Sequence, residues 1–85
     1  MEYIIVAFRS RANTIKFYEI LRNNNIYAEI VNTPKEAGVG CGLSVKVNKS
    51  QLEIIKRAIR SLSMPSFAGI FLVNKYKNKT VIRLI

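Results

Sequence analysis

Apolar positions along the chain fall into five short runs separated by two helical stripes and a glycine-rich loop. Tyr3 to Phe8 is continuously apolar and partly β-branched, stops at Arg9-Ser10, and predicts a short strand buried on both faces. Ser10 suits the cap of a following helix, whose stripe is Phe17, Ile20 and Leu21 with flanking Ile15 and Tyr18, ending at Asn23-Asn24-Asn25. Tyr27 to Thr33 reads as a second strand, closed by Thr33-Pro34, because proline removes a ladder donor and biases its predecessor toward extended geometry. After the loop Pro34 to Gly42, Leu43, Val45 and Val47 alternate with Ser44, Lys46 and Asn48, the period of a half-buried strand.

Ser50-Gln51-Leu52-Glu53 matches a capping box and predicts a second helix. Its buried stripe would be Leu52, Ile55, Ile59 and Leu62, its polar side Lys56, Arg57 and Arg60, and its end Met64-Pro65. Phe67 to Asn74 and Thr80 to Ile85 then form a hairpin around the polar tip Lys75 to Lys79. The order predicts an α+β fold over residues 1–85 as one domain: a ferredoxin-like βαββαβ plan plus one extra C-terminal strand, with an antiparallel sheet and two helices on one face. The opposite face is then left bare although strands one and four are apolar in both registers. A covering homo-oligomer or partner protein is expected from that.

Length and composition narrow the function classes. A chain of 85 residues holds one modest core, and 49% apolar with 22% charged residues is the balance of a folded domain. The longest apolar runs, Tyr3 to Phe8 and Ile70 to Val73, are far short of the roughly 20 residues that span a bilayer. An acidic Met1-Glu2 start without a cleavage site, and a single cysteine, point to the cytoplasm and to a free thiol. Fourteen Lys and Arg against five Glu give a net charge of +9. That excess fits an anionic partner such as nucleic acid or an acidic protein, and equally fits the Lys, Ile and Asn drift of an AT-rich genome.

Candidate chemistry concentrates at one point. The absence of histidine removes the commonest general base and zinc ligand, and one cysteine cannot build a thiolate metal site within the chain. No cofactor is implied. Gly38-Val39-Gly40-Cys41-Gly42 lacks the third glycine of a dinucleotide loop and the Lys-Ser/Thr of a phosphate loop, and it leads into a strand. Three glycines in five residues instead allow a tight loop whose amides form a nest beside the Cys41 sulfur. An ordinary cysteine, with a pKa of about 8.5, is only about 3% thiolate at pH 7, so such a setting changes reactivity directly. Lys35 or another of the many basic residues would assist by charge, and Glu36 would oppose them or act as a proton acceptor. A lone cysteine is most often a small core residue; the loop position and glycine neighbours favour access here.

Thr33-Pro34 followed by Gly40-Cys41-Gly42-Leu43, after a strand-helix-strand, resembles a family of small bacterial domains described as putative selenium/sulfur carrier protein-like. The resemblance extends over nearly the full chain, with Cys41, Gly42 and Leu43 in the family's Cys-Gly-Leu places. It implies that Cys41 holds a persulfide or selenopersulfide received from a donor such as a cysteine desulfurase, with Thr33, Pro34, Lys35, Gly40 and Gly42 forming the surrounding site. Gly38-Val39-Gly40 stands where that family more often has serines, and the basic C-terminal hairpin is a second departure. The competing readings are a nucleic-acid-binding module, suggested by the charge and by the plan shared with RNA-recognition domains, and a regulatory protein-interaction module. Against base stacking, the strand Leu43 to Val47 carries no aromatic residue.

Overall fold

The structure, a computed structural model, describes residues 1–85. The strands are β1 (Glu2–Phe8), β2 (Glu29–Asn32), β3 (Leu43–Val47), β4 (Phe67–Tyr76) and β5 (Lys79–Leu84), and the helices are α1 (Arg11–Asn23) and α2 (Leu52–Leu62). They build one antiparallel sheet in the order β2-β3-β1-β4-β5. This is the ferredoxin-like arrangement with one strand added at the β4 edge. No helix is long and apolar enough to cross a membrane.

Both helices lie on one sheet face. Ile4, Val6 and Phe8 of β1, Val45 and Val47 of β3 and Ile70 of β4 meet Phe17 and Leu21 of α1 and Ile55 of α2 in one cluster. Each such buried side chain contributes roughly 1.5–3 kcal/mol. The Phe8 and Phe17 rings pack tilted, 5.4 Å apart, and fix the end of β1 against the first half of α1.

Ser10 caps α1 as its sequence position predicts, accepting from the Asn13 amide at 3.2 Å. The box at Ser50 does not form. Asn48 Oδ1 accepts from the Ser50 amide at 2.9 Å, so the donor that Glu53 would need is already taken. A 3-10 turn over Lys49–Gln51 results, and α2 begins at Leu52 without a side-chain cap. Along α2, Ile55 is fully buried and Leu52, Ala58 and Ile59 pack against the core, while Leu62 stays 41% exposed beside the left-handed Ser63 that ends the helix. β2 is shorter than Tyr27 to Thr33, and Tyr27 is exposed. The hairpin strands run further than expected, leaving Lys77-Asn78 as the turn, with Lys77 at φ 54°.

The second sheet face is not bare. Ile5, Ala7 and Val73 are fully buried there with Tyr3 and Phe71 nearly so, under partly buried Val31, Ala37, Ala68 and Ile82. Ala37 belongs to a 3-10 turn over Lys35–Ala37 that follows β2, and β5 from the opposite edge reaches the same turn. The sheet curls until its two edges close over the cluster. The apolar face that led to an expected oligomer is covered by the chain itself.

Candidate functional site

Strand register decides where Cys41 lies. β3 runs antiparallel to β1 with Ala7 opposite Ser44, so the residues just before Leu43 pass beside the end of β1. The Cys41 amide donates to the Phe8 carbonyl at 3.0 Å. α1 begins at Arg11, just beyond Phe8, and the thiol therefore sits at its first turn. Cys41 Sγ is 3.6 Å from the hydroxyl of Thr14, a fully buried α1 residue. Phe8 has no exposed surface, so the carbonyl anchoring Cys41 is itself held by the core.

The two glycines flanking the cysteine are required by the backbone. Gly40 and Gly42 have φ of +96° and +94°, a region that side chains rarely adopt. At Gly40 a Cβ would also come within 3.3 Å of the Phe8 carbonyl oxygen, whereas at Gly42 it would meet open space. Thr33 ties down the other side of the loop. Its amide donates to the Gly42 carbonyl at 2.8 Å, and its hydroxyl pairs with that of fully buried Ser44 at 2.6 Å. Pro34, at φ −60°, turns the chain into the Lys35–Ala37 segment.

Burial of the Cys41 thiol pushes its pKa up. The Thr14 hydroxyl, the backbone at Leu43 and at Cys41 itself, and the charge of Arg11 outweigh that and hold it below the ordinary thiol value. In the neutral form the thiol donates to the Leu43 carbonyl at 3.7 Å, a bond the thiolate cannot make. Thr14 offers the compensating donor. Its hydroxyl lies 3.0 Å from the Ser10 carbonyl, which also accepts the Thr14 amide at 3.1 Å. Ser10 thus stays satisfied when the hydroxyl proton turns to the sulfur. The positive end of the α1 dipole acts in the same direction.

Of the residues singled out from sequence, Thr33, Pro34, Lys35, Gly40 and Gly42 line one shallow concavity of about 250 Å³. Cys41 is not part of that lining; its sulfur faces Thr14 on α1. The Cys41 amide is engaged by Phe8, so it does not join a nest of free amides. Lys35 is exposed, and the cation whose charge acts on the thiol is Arg11. Sequence reasoning passed over Thr14, although a threonine four residues after a helix cap, beside the end of β1, is the available signal. No group of three or more potential metal ligands is gathered anywhere in the chain. A second concavity of about 170 Å³ at the other end of the sheet includes Tyr3, Tyr27, Glu29 and Lys46, and the Lys46 ammonium occupies the face of the Tyr3 ring at 4.4 Å.

A family model described as "Putative Se/S carrier protein-like" matches residues 2–65. The chain belongs to this family. The matched span runs from β1 to the turn before β4 and contains Thr14, Thr33 and Cys41, with the C-terminal hairpin outside it. The family likeness therefore covers less of the chain than the sequence resemblance suggested. No match was found among curated proteins or among solved structures.

Proposed function

We propose that the protein is a sulfur or selenium carrier in which Cys41 takes the transferred atom from a donor protein, such as a cysteine desulfurase, and passes it on. In the loading step the Cys41 thiolate attacks the outer sulfur of a persulfide on the donor cysteine. The new S–S bond forms at Cys41, the donor's S–S bond breaks, and its electron pair leaves with the donor thiolate. Sulfur and electrons balance without an added oxidant, and a selenopersulfide reacts in the same way. Delivery to an acceptor nucleophile repeats the exchange with Cys41 as the leaving thiolate.

The observation carrying this reading is a partly exposed thiol 3.6 Å from the Thr14 hydroxyl at the start of α1, with its pKa lowered. Lowering the pKa helps both steps, since thiolate is the attacking form in the first and the departing form in the second. The family membership supports the same role. A nucleic-acid reading finds less support: Tyr3 and Phe71, the aromatic residues in the cluster on the sheet face without helices, are only 9% and 6% exposed, and the exposed rings of Tyr27 and Tyr76 stand apart, one before the edge strand β2 and one at the end of β4.

The test is sulfur loading from inorganic polysulfide, followed by intact mass and cyanolysis. The wild-type chain should gain one sulfur atom that cyanide removes, and Cys41→Ser, still folded by circular dichroism, should gain none. A wild-type chain that stays unloaded while its thiol alkylates readily would refute the carrier role.

A further inference from the structure

On the helix-bearing side of the molecule α2 leaves a gap next to the C-terminal hairpin, forming a groove of about 380 Å³. Its apolar lining includes Ile59, Phe67, Ile70 and Ile85, and Lys56 and Arg60 of α2 supply its cations. Leu84 stands opposite Phe71 and turns its side chain to the other sheet face, so the apolar side chain the hairpin gives to this groove is that of Ile85, which is 38% exposed and whose amide donates to the Ile70 carbonyl at 2.9 Å. The cations are unpaired: the one ion pair in the protein joins Lys49 to Glu2, at the opposite end of β1 from Phe8.

We infer that this groove is the docking seat for an acidic, amphipathic segment of the protein that exchanges sulfur with Cys41. The inference rests on the carrier reading for the partner's role, and on the groove itself for the partner's chemistry. Apolar side chains of such a segment would cover Phe67 and Ile85, and its carboxylates would meet Lys56 and Arg60. Nucleic acid would satisfy the cations and leave the apolar lining wet. A neutral apolar segment would cover the lining and forgo the cations. The net charge of +9 steers an acidic partner to the surface and speeds encounter.

The groove is also in the right place. Phe8 accepts the Cys41 amide on one side and pairs with Phe67 on the other, so the two backbones are about 10 Å apart, two interstrand spacings. Arg9 bridges the interval, its guanidinium donating to the Phe67 carbonyl at 3.4 Å. A protein seated in the groove would have its reactive sulfur close to the thiol, with Arg9 and the neutral side chains of Ser10, Asn13 and Ser66 between.

The experiment is chemical-shift mapping by NMR with three probes: a synthetic amphipathic Leu/Glu peptide, its Leu/Lys counterpart, and a mixed-sequence single-stranded RNA. The acidic peptide should bind in a salt-dependent manner and shift the amides of Phe67 to Ile70 and Ile85. The lysine peptide should not bind, and RNA should not displace the acidic one. The double variant Lys56→Glu, Arg60→Glu should weaken binding at least tenfold, and Cys41→Ser should leave it unchanged. Absence of binding, shifts confined to other surfaces, insensitivity to the double variant, or displacement by RNA would each overturn the inference. Polysulfide loading of Cys41 is read separately, so loss of docking with intact loading removes the groove proposal and leaves the carrier role standing.

Discussion

At the end of the sheet where β1 finishes, the Cys41 loop and the first turn of α1 meet at the sulfur, and the start of β4 pairs with Phe8 on the other side of β1. Backbone conformation there is exacting, with Gly40 and Gly42 at positive φ and left-handed Ser66, whose hydroxyl accepts from Asn13 Nδ2 at 2.8 Å and whose carbonyl accepts from the Arg9 amide at 2.7 Å. At the other end, Glu2 meets Lys49 and Lys46 lies over Tyr3, contacts between side chains around a regular ladder. The thiol end is specified by the main chain and admits few residue types. The far end is specified by side chains in water and admits many.

The largest expected effect that would test this contrast comes from Gly40→Ala. Forced strain and the approach to the Phe8 oxygen should cost about 1–3 kcal/mol in urea unfolding and disturb alkylation of Cys41. Gly42→Ala has the same strain and open space around it, so it should cost only about 1 kcal/mol. Equal losses would mean that the Phe8 contact is irrelevant. Next in size is Thr14→Val, which removes the hydroxyl and keeps the shape. The pH midpoint of Cys41 alkylation should rise and the rate at pH 7 should fall severalfold with stability nearly unchanged; an unmoved midpoint would remove Thr14 from the site.

The same thiol links stability to pH. Its pKa is lower in the folded protein than in the unfolded chain, so folding is favoured as pH rises from the folded value to about 8.5, and that gain is lost as pH falls through the folded value. Urea midpoints of the wild-type chain should rise across that window relative to Cys41→Ser. The smallest effect belongs to Glu2→Gln. Lys49 lowers the Glu2 pKa through a hydrogen bond and its charge, yet the pair is at the surface, and no measurable change in the urea midpoint at neutral pH is expected. A clear loss there would erase the difference between the two ends.

Much of the fold was legible because its signals are local. Alternation in Leu43 to Val47, the stripe in α1 and the cap at Ser10 each occupy a few adjacent residues, and their order left few topologies to choose from. Cys41 and its glycines were legible for the same reason. Thr14 was not, since its contact with a sulfur 27 residues away exists only through the β1–β3 register. The capping box failed for a competing local interaction, Asn48 reaching the amide of Ser50 first. The closure of the second face depends on the curl of the whole sheet, which no short pattern encodes.

That curl has a consequence for how the protein behaves when concentrated. An open five-stranded sheet presents two unpaired borders, and each is a template on which another chain's strand can grow. Here the turn after β2 and the outermost strand β5 bend toward one another, while Lys79 and Arg83 place like charges along β5. Both borders are thereby made poor templates, and the fold guards itself against fibre-like self-association.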